Sequence, residues 1–237
     1  MDIQTGAGNG CEPKGFMQDF HCVANTLPSA RPSGAWPGSP APSPTTGFSG
    51  HLAPDRPELE AFIGAAFRRQ HGATVHCYLP LLVSLRDAGG ELAGVAGYRH
   101  GSEGPLYLEQ YLAGPVETVI ARQTGSATVA RPAIAEIGNF ACRDCATAAT
   151  MMSVLAELLR EQRHDWVVFT ATRTVRGIMR RMGLRLAELA RAERSCLVAA
   201  DDWGRYYEQD PRVMLGYVPS WDQAARRNAQ GSCAGHS

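Results

Sequence analysis

The chain alternates helix-period and strand-period segments. Between Glu58 and Gln70, the residues Leu59, Phe62, Ile63, Ala66 and Phe67 fall on one face at helical spacing, which predicts an amphipathic helix. Tyr78 to Leu85 is apolar and strand-like, Asp87-Ala88-Gly89-Gly90 is a turn, and Glu91 to Tyr98 returns as a partner strand. Leu106 to Leu112 alternates and predicts a third strand, and Pro115 to Arg122 predicts a short helix with proline at its start. Ile134 to Cys142 reads as a strand. Thr147 to Gln162 follows as the best helix, with Met151, Leu155 and Leu159 four residues apart. Trp166 to Thr170 is a buried strand, Thr174 to Met182 a helix stopped by Gly183, and Leu184 to Leu189 a further strand. The order predicts a mixed α/β (α+β) fold, a mostly antiparallel central sheet with covering helices.

Composition sets the limits of that unit. Residues 1–50 hold seven of the 15 prolines and eight glycines, and they read as a disordered Pro/Gly/Ser-rich extension. Residues 51–221 are expected to form a single domain, and 222–237 a flexible polar tail. Lys+Arg and Asp+Glu both total 23, so there is no basic footprint of the kind a nucleic-acid partner needs. No apolar run is long enough to span a bilayer, and the start of the chain lacks a secretory pattern, so a cytoplasmic protein without integral membrane association is expected. Lys14 is the only lysine, which removes Schiff-base and buried-amine mechanisms from the folded unit. Seven scattered cysteines argue against a disulfide framework. Cys142-Arg143-Asp144-Cys145 has no second pair to complete a zinc site, so no metal is expected.

The chemistry concentrates in Ile134 to Ala148, where a strand ends and a long helix starts. Free N–H groups and the macrodipole favour an anion at such an end, the small Ala146 and Ala148 give it access, and Arg143 adds a charge. A plain helix start capped by Asp144 or Thr147 is the alternative. Arg143-x-x-Ala146-x-Ala148 resembles the R/Q-x-x-G-x-G/A pyrophosphate loop of GNAT-type N-acetyltransferases, with alanine in place of the middle glycine.

A wider resemblance covers most of residues 51–221. Tyr78-Leu79-Pro80-Leu81-Leu82, Gly97-Tyr98-Arg99, Leu108-Glu109-Gln110-Tyr111-Leu112, Glu136-Ile137-Gly138, Val168-Phe169-Thr170-Ala171-Thr172 and Trp203-Gly204-Arg205-Tyr206-Tyr207 are, in this order, similar to the bacterial thermostable hemolysin family. Its pattern is in turn similar to acyltransferases, including the autoinducer synthases that use acyl carrier protein. The resemblance implies an N-acyltransferase-like fold that moves an acyl group from acyl-CoA or acyl carrier protein to a small amine such as an amino acid. It implies Glu136 as base with Glu109 as second candidate, and Asn139, Phe140, Arg143, Ala146, Thr147 and Ala148 as donor-binding positions. Arg99, Gln110, Tyr111, Thr170 and Thr172 are implied for substrate binding.

Two departures stand out. Met179 occupies the position of the acetyltransferases' tyrosine acid, and Asp144 places a carboxylate in the phosphate loop. A membrane-active hemolysin and a non-catalytic acyl-CoA binder are the alternatives, and an enzyme releasing a lytic acyl-amino acid would bridge the first of these. Arg173, Arg176, Arg180 and Arg181 read as a solvated helix face or a dock for an acidic carrier protein. Trp203, Tyr206 and Tyr207 read as core or as pocket lining.

Overall fold

A computed structural model describes residues 44–197 and 200–221, together with the backbone of residues 21 and 22. The strands are β1 (His21–Cys22), β2 (Thr45–Ser49), β3 (Leu81–Arg86), β4 (Leu92–His100), β5 (Ile134–Cys142), β6 (Trp166–Ala171), β7 (Leu186–Arg191) and β8 (Arg212–Tyr217). The helices are α1 (Arg56–His71), α2 (Val116–Thr124), α3 (Cys145–Glu161) and α4 (Arg173–Arg181). The sheet order is β2-β3-β4-β5-β6-β8-β7, with β1 pairing β5. Along this path every neighbouring pair is antiparallel except β5 and β6.

The sheet separates two apolar layers. On one side Leu59, Ile63 and Phe67 of α1 pack with Leu82, Val95, Ile134 and Val168. On the other, Met151, Leu155 and Leu159 of α3 and Val175 and Met179 of α4 pack with Val83, Ile137, Phe169 and Met214. All nine residues of β5 are buried, as a central strand covered on both faces requires. The helix ends follow local chemistry: the Asp144 side chain accepts from Thr147 N–H, the Thr172 side chain from Val175 N–H, and Gly183 turns the chain after α4 at φ 78°.

Three elements depart from the sequence reading. Leu106 to Leu112 is not a strand but a 3-10 turn, η2 (Tyr107–Tyr111). Tyr107, Leu108 and Tyr111 all turn inward there, and the Glu109 carboxylate folds back to accept Leu106 N–H, so the segment leaves the sheet. Thr45–Ser49, counted with the extension, is the edge strand β2 paired to β3, so the sheet begins before residue 51. β8 has no counterpart in the pattern reading, yet it is inserted between β6 and β7, a placement that depends on partners distant in sequence. The rest of 1–43 and the tail 222–237 lie outside the described residues.

Candidate functional site

β5 meets β4 along its length, but it meets β6 only at Ile134–Trp166, Ala135–Val167 and Glu136–Val168. Beyond that point β6 continues as Phe169–Ala171 against β8, and β5 runs on from Ile137 to Cys142 without it. The two parallel strands therefore fork just past Glu136. At the same level the β4–β5 register slips: Val95 faces Ala141 while Gly97 faces Gly138, so β5 carries an extra residue. Asn139 sits in this bulge at φ 49°, and its Oδ1 accepts Leu79 N–H at 2.8 Å. Arg56, at the start of α1, donates to the carbonyls of Leu79 and Pro80, both at 2.8 Å, and so pins the same strand entrance. Gly97 is required here because a Cβ would lie 2.8 Å from Asn139 Oδ1.

Glu136 is fully buried at the fork. Its side chain points to the α1 side, since its neighbours Ala135 and Ile137 belong to the α3 layer. Tyr107 N–H donates to Oε2 and Leu108 N–H to Oε1, each at 3.0 Å. Burial raises the carboxyl from the ordinary 4.5 to about 7, against the opposing pull of these two N–H groups and of Arg99. Arg99 stands directly across on β4 and also donates to the Pro105 carbonyl. η2 is thus the element that completes the Glu136 environment, and Gln110 braces it by donating to the Tyr107 carbonyl at 2.8 Å.

Glu109 is differently placed. It accepts from Leu106 N–H, from Val116 N–H and from both terminal nitrogens of Arg131. Burial pushes its carboxyl up, but the Arg131 and backbone hydrogen bonds together outweigh that and hold it below the usual range. Arg131 also reaches Glu117 and the carbonyls of Gly101 and Gly104, tying η2, α2 and the approach to β5 into one unit. This arrangement makes Glu109 a brace of the turn that holds Glu136.

At the far end of β5 stand the loop residues. Glu136 and Cys142 are six positions apart, about 20 Å along the strand. Arg143 is partly exposed and donates to Asp87 at 2.7 Å, from the β3–β4 turn. Asp144 occupies the helix end itself: Thr147 N–H donates to its Oδ1 at 2.7 Å, and that bond, more than any other, keeps its carboxyl below the usual range. Ala148 is buried against the α3 layer, whereas Ala146 is exposed. Phe140 is buried core. Cys145, the first residue of α3, is disulfide-bonded, which the scattered-cysteine reading did not anticipate.

Of the remaining residues, Thr170 is buried on β6 with its side chain on the Glu136 face, two residues beyond Val168. Thr172 caps α4. The Tyr111 and Tyr207 hydroxyls meet at 3.1 Å on the α1 side of the sheet. Trp203 and Tyr206 are fully buried, so these two belong to the core, while Tyr207 lines a pocket of about 310 Å³ with Arg191, Arg194 and Asp210. Met179 is fully buried in the α3–α4 layer. Arg131, Asp210 and the Tyr111–Tyr207 pairing were missed in the sequence, because no local spacing joins partners 22 to 96 positions apart. Among the described residues no cluster of three or more His, Cys, Asp or Glu side chains is arranged to hold a metal, and no helix is long and apolar enough to cross a membrane.

The family model for thermostable hemolysin matches residues 50–220. The chain belongs to that family. No curated protein sequence matches this family member. Among solved structures it is similar to FeeM, an N-acyl amino acid synthase from uncultured soil microbes, with a TM-score of 0.52 and 17% identity over 77% of this chain and 96% of that one. It is similar to TofI, solved in a ternary complex with an inhibitor and MTA, with a TM-score of 0.51 and 16% identity over 74% and 91% of the two chains. It is also similar to BjaI, a CoA-dependent acyl-homoserine lactone synthase solved with SAM and isopentyl-CoA, with a TM-score of 0.52 and 14% identity over 75% and 83%. At such identities the likeness establishes the N-acyltransferase-like fold of this chain.

Proposed function

We propose that this chain is an N-acyltransferase that moves an acyl group from an acyl-CoA or acyl carrier protein thioester to a small amine such as an amino acid. The observation that carries this reading is the Glu136 carboxylate, wholly buried where β5 and β6 part, with its pKa raised by burial to about 7. A carboxyl in that range is half ionised near neutrality and is matched to removing a proton from an attacking amine. FeeM and BjaI, which share the fold, are by name an N-acyl amino acid synthase and a CoA-dependent acyl-homoserine lactone synthase, and both names agree with an acyl donor and an amine acceptor.

The donor would lie along the β5 edge between Ile137 and Cys142. Its amides pair with the backbone groups that β6 leaves open from Ile137 to Phe140, its thioester meets Glu136, and its phosphates approach Arg143 and the α3 end. Asp144 must then yield part of that helix end, through partial displacement from the Thr147 N–H. The sulfur leaves as a thiolate and takes a proton. Met179 has none to give, and the Tyr111–Tyr207 hydroxyl pair is a phenolic proton source on the Glu136 side of the sheet. Lysis by such a protein follows from its product, since a long-chain acyl-amino acid is a surfactant.

The test incubates the purified chain with acyl-CoAs of increasing length and a mixture of amino acids, and reads free thiol and new amide by mass spectrometry. Amide formed by the native chain and lost in Glu136→Gln supports the proposal. Erythrocyte lysis by the protein with no acyl donor present, without turnover of any thioester, would overturn it.

A further inference from the structure

Three arginines belong to the framework around Glu136, and two of them are closed by carboxylates. Arg56 donates to Glu60 and to the carbonyls of Leu79 and Pro80. Arg131 is held by Glu109 and Glu117. Arg99 differs. It lies directly across from Glu136 on β4, and both side chains leave the sheet on the α1 side, since their neighbours Tyr98 and Ile137 belong to the α3 layer. Its Nη1 donates to the Pro105 carbonyl at 3.1 Å, two residues before Tyr107, whose N–H Glu136 accepts. The two head groups therefore converge on one short stretch, Pro105 to Leu108. Arg99 is partly exposed, and among the described residues no carboxylate lies within ion-pairing distance of it. A guanidinium presents its donors as a rigid fork, one side of which matches a carboxylate with two parallel bonds. With Nη1 on Pro105, the Nε–Nη2 side of Arg99 makes no hydrogen bond to a described residue.

We infer that Arg99 is the receptor for a carboxylate on the acceptor, so that the acceptor is a free α-amino acid rather than an amine in general. This rests on the acyl-transfer reading of Glu136 and narrows its acceptor. Side chains directly opposite in an antiparallel pair start about 5 Å apart, which suits a molecule whose amine and carboxylate sit on a single carbon. Charge favours the same class. Glu136 is half protonated near neutrality and balances Arg99 only in part, so an arriving carboxylate meets net positive charge. An amine without a carboxylate would instead bring a second cation beside Arg99.

With the carboxylate on Arg99, the α-amine faces Glu136. The amine adds to the acyl carbon and gives its proton to Glu136, the C–N bond forms, and the C–S bond breaks. The thiolate takes a proton and leaves as a thiol. The product keeps its free carboxylate, so it is an N-acyl-α-amino acid.

The experiment presents each common α-amino acid beside its primary amide to the full native chain, to Arg99→Gln and to Arg99→Lys. The first readout is Tm without any acyl donor, and the second is new amide formed from acyl-CoA or acyl carrier protein. In the native chain at least one amino acid is expected to raise Tm where its amide does not, and to be acylated with a KM about 10- to 100-fold below that of the amide. Arg99→Gln should erase this difference, and Arg99→Lys, which keeps the charge but loses the fork, should restore part of it. The comparison of acid with amide on the native chain holds even if a variant does not fold. Acids and amides that bind and react alike overturn the inference, and if both are acylated the acyltransferase reading stands without it. A preference for the acid that survives in Arg99→Gln also overturns it. Acids that stabilise the native chain but not Arg99→Gln, with no thioester turned over, uphold the carboxylate site and remove the acyltransferase reading instead.

Discussion

Replacing Glu136 with glutamine separates the charge of this carboxyl from its shape. The group is wholly buried, and its folded-state pKa of about 7 lies above the ordinary 4.5. Between these values the folded chain holds a proton that the unfolded chain has released, so stability falls as pH rises through the window. The gap corresponds to about 3 kcal/mol of stability, which is fully present below about pH 4.5 and lost as pH rises through about 7. Glutamine carries no charge, but its amide turns one of the two acceptor positions for Tyr107 and Leu108 N–H into a donor, at a cost of about 1–3 kcal/mol. The variant should therefore be less stable than the native chain near pH 5 and equal or more stable near about pH 8.5, the difference moving by about 3 kcal/mol. Urea unfolding of both proteins across this range measures it without any substrate. A stability difference that stays flat with pH would show that the carboxyl titrates normally, and the reasoning that makes it a base near neutrality would be lost. Where acyl transfer is measured, the variant should lose about 100-fold or more in kcat.

Four further outcomes follow from the geometry. Arg131→Ala leaves Glu109 without its bidentate partner and should cost about 2–4 kcal/mol in urea unfolding; Glu109, whose folded pKa is lowered, should then lose its contribution to stability, which in the native chain is present above about 4.5 and fades as pH falls through the folded value. Gly97→Ala drives a Cβ to 2.8 Å from Asn139 Oδ1 and should destabilise by about 1–3 kcal/mol, read as a lowered Tm; an unchanged Tm contradicts the tight β4–β5 bulge. Met179→Tyr, which restores the acetyltransferase residue type, should lower stability and bring no gain in turnover, because the site is sealed inside the α3–α4 layer. Arg143→Ala should change stability by less than about 1 kcal/mol, its pair with Asp87 being partly exposed, yet weaken acyl-CoA binding measured by calorimetry.

Periodicity alone located α1, α3, α4, β5 and β6 nearly to the residue, because each buries a face whose spacing is written in adjacent side chains. The small residues at the start of α3 made the Arg143–Ala148 loop a local signal as well, whereas Glu136 was singled out by the family resemblance. What local pattern could not carry was decided by contacts across the chain. Leu106 to Leu112 has a strand's alternation, but the capping carboxylate of Glu109 and the buried oxygens of Glu136 draw its N–H groups out of any ladder. β2 and β8 are strands because β3, β6 and β7 present open edges to them. The fork itself is invisible in sequence, for it exists only where β6 leaves β5 for β8. The sequence determined which residue types are available for the proposed chemistry and which segments could bury an apolar face. The tertiary structure alone decided that Glu136 sits dry at the point where two parallel strands separate, because burial and desolvation arise only when distant elements close around a group.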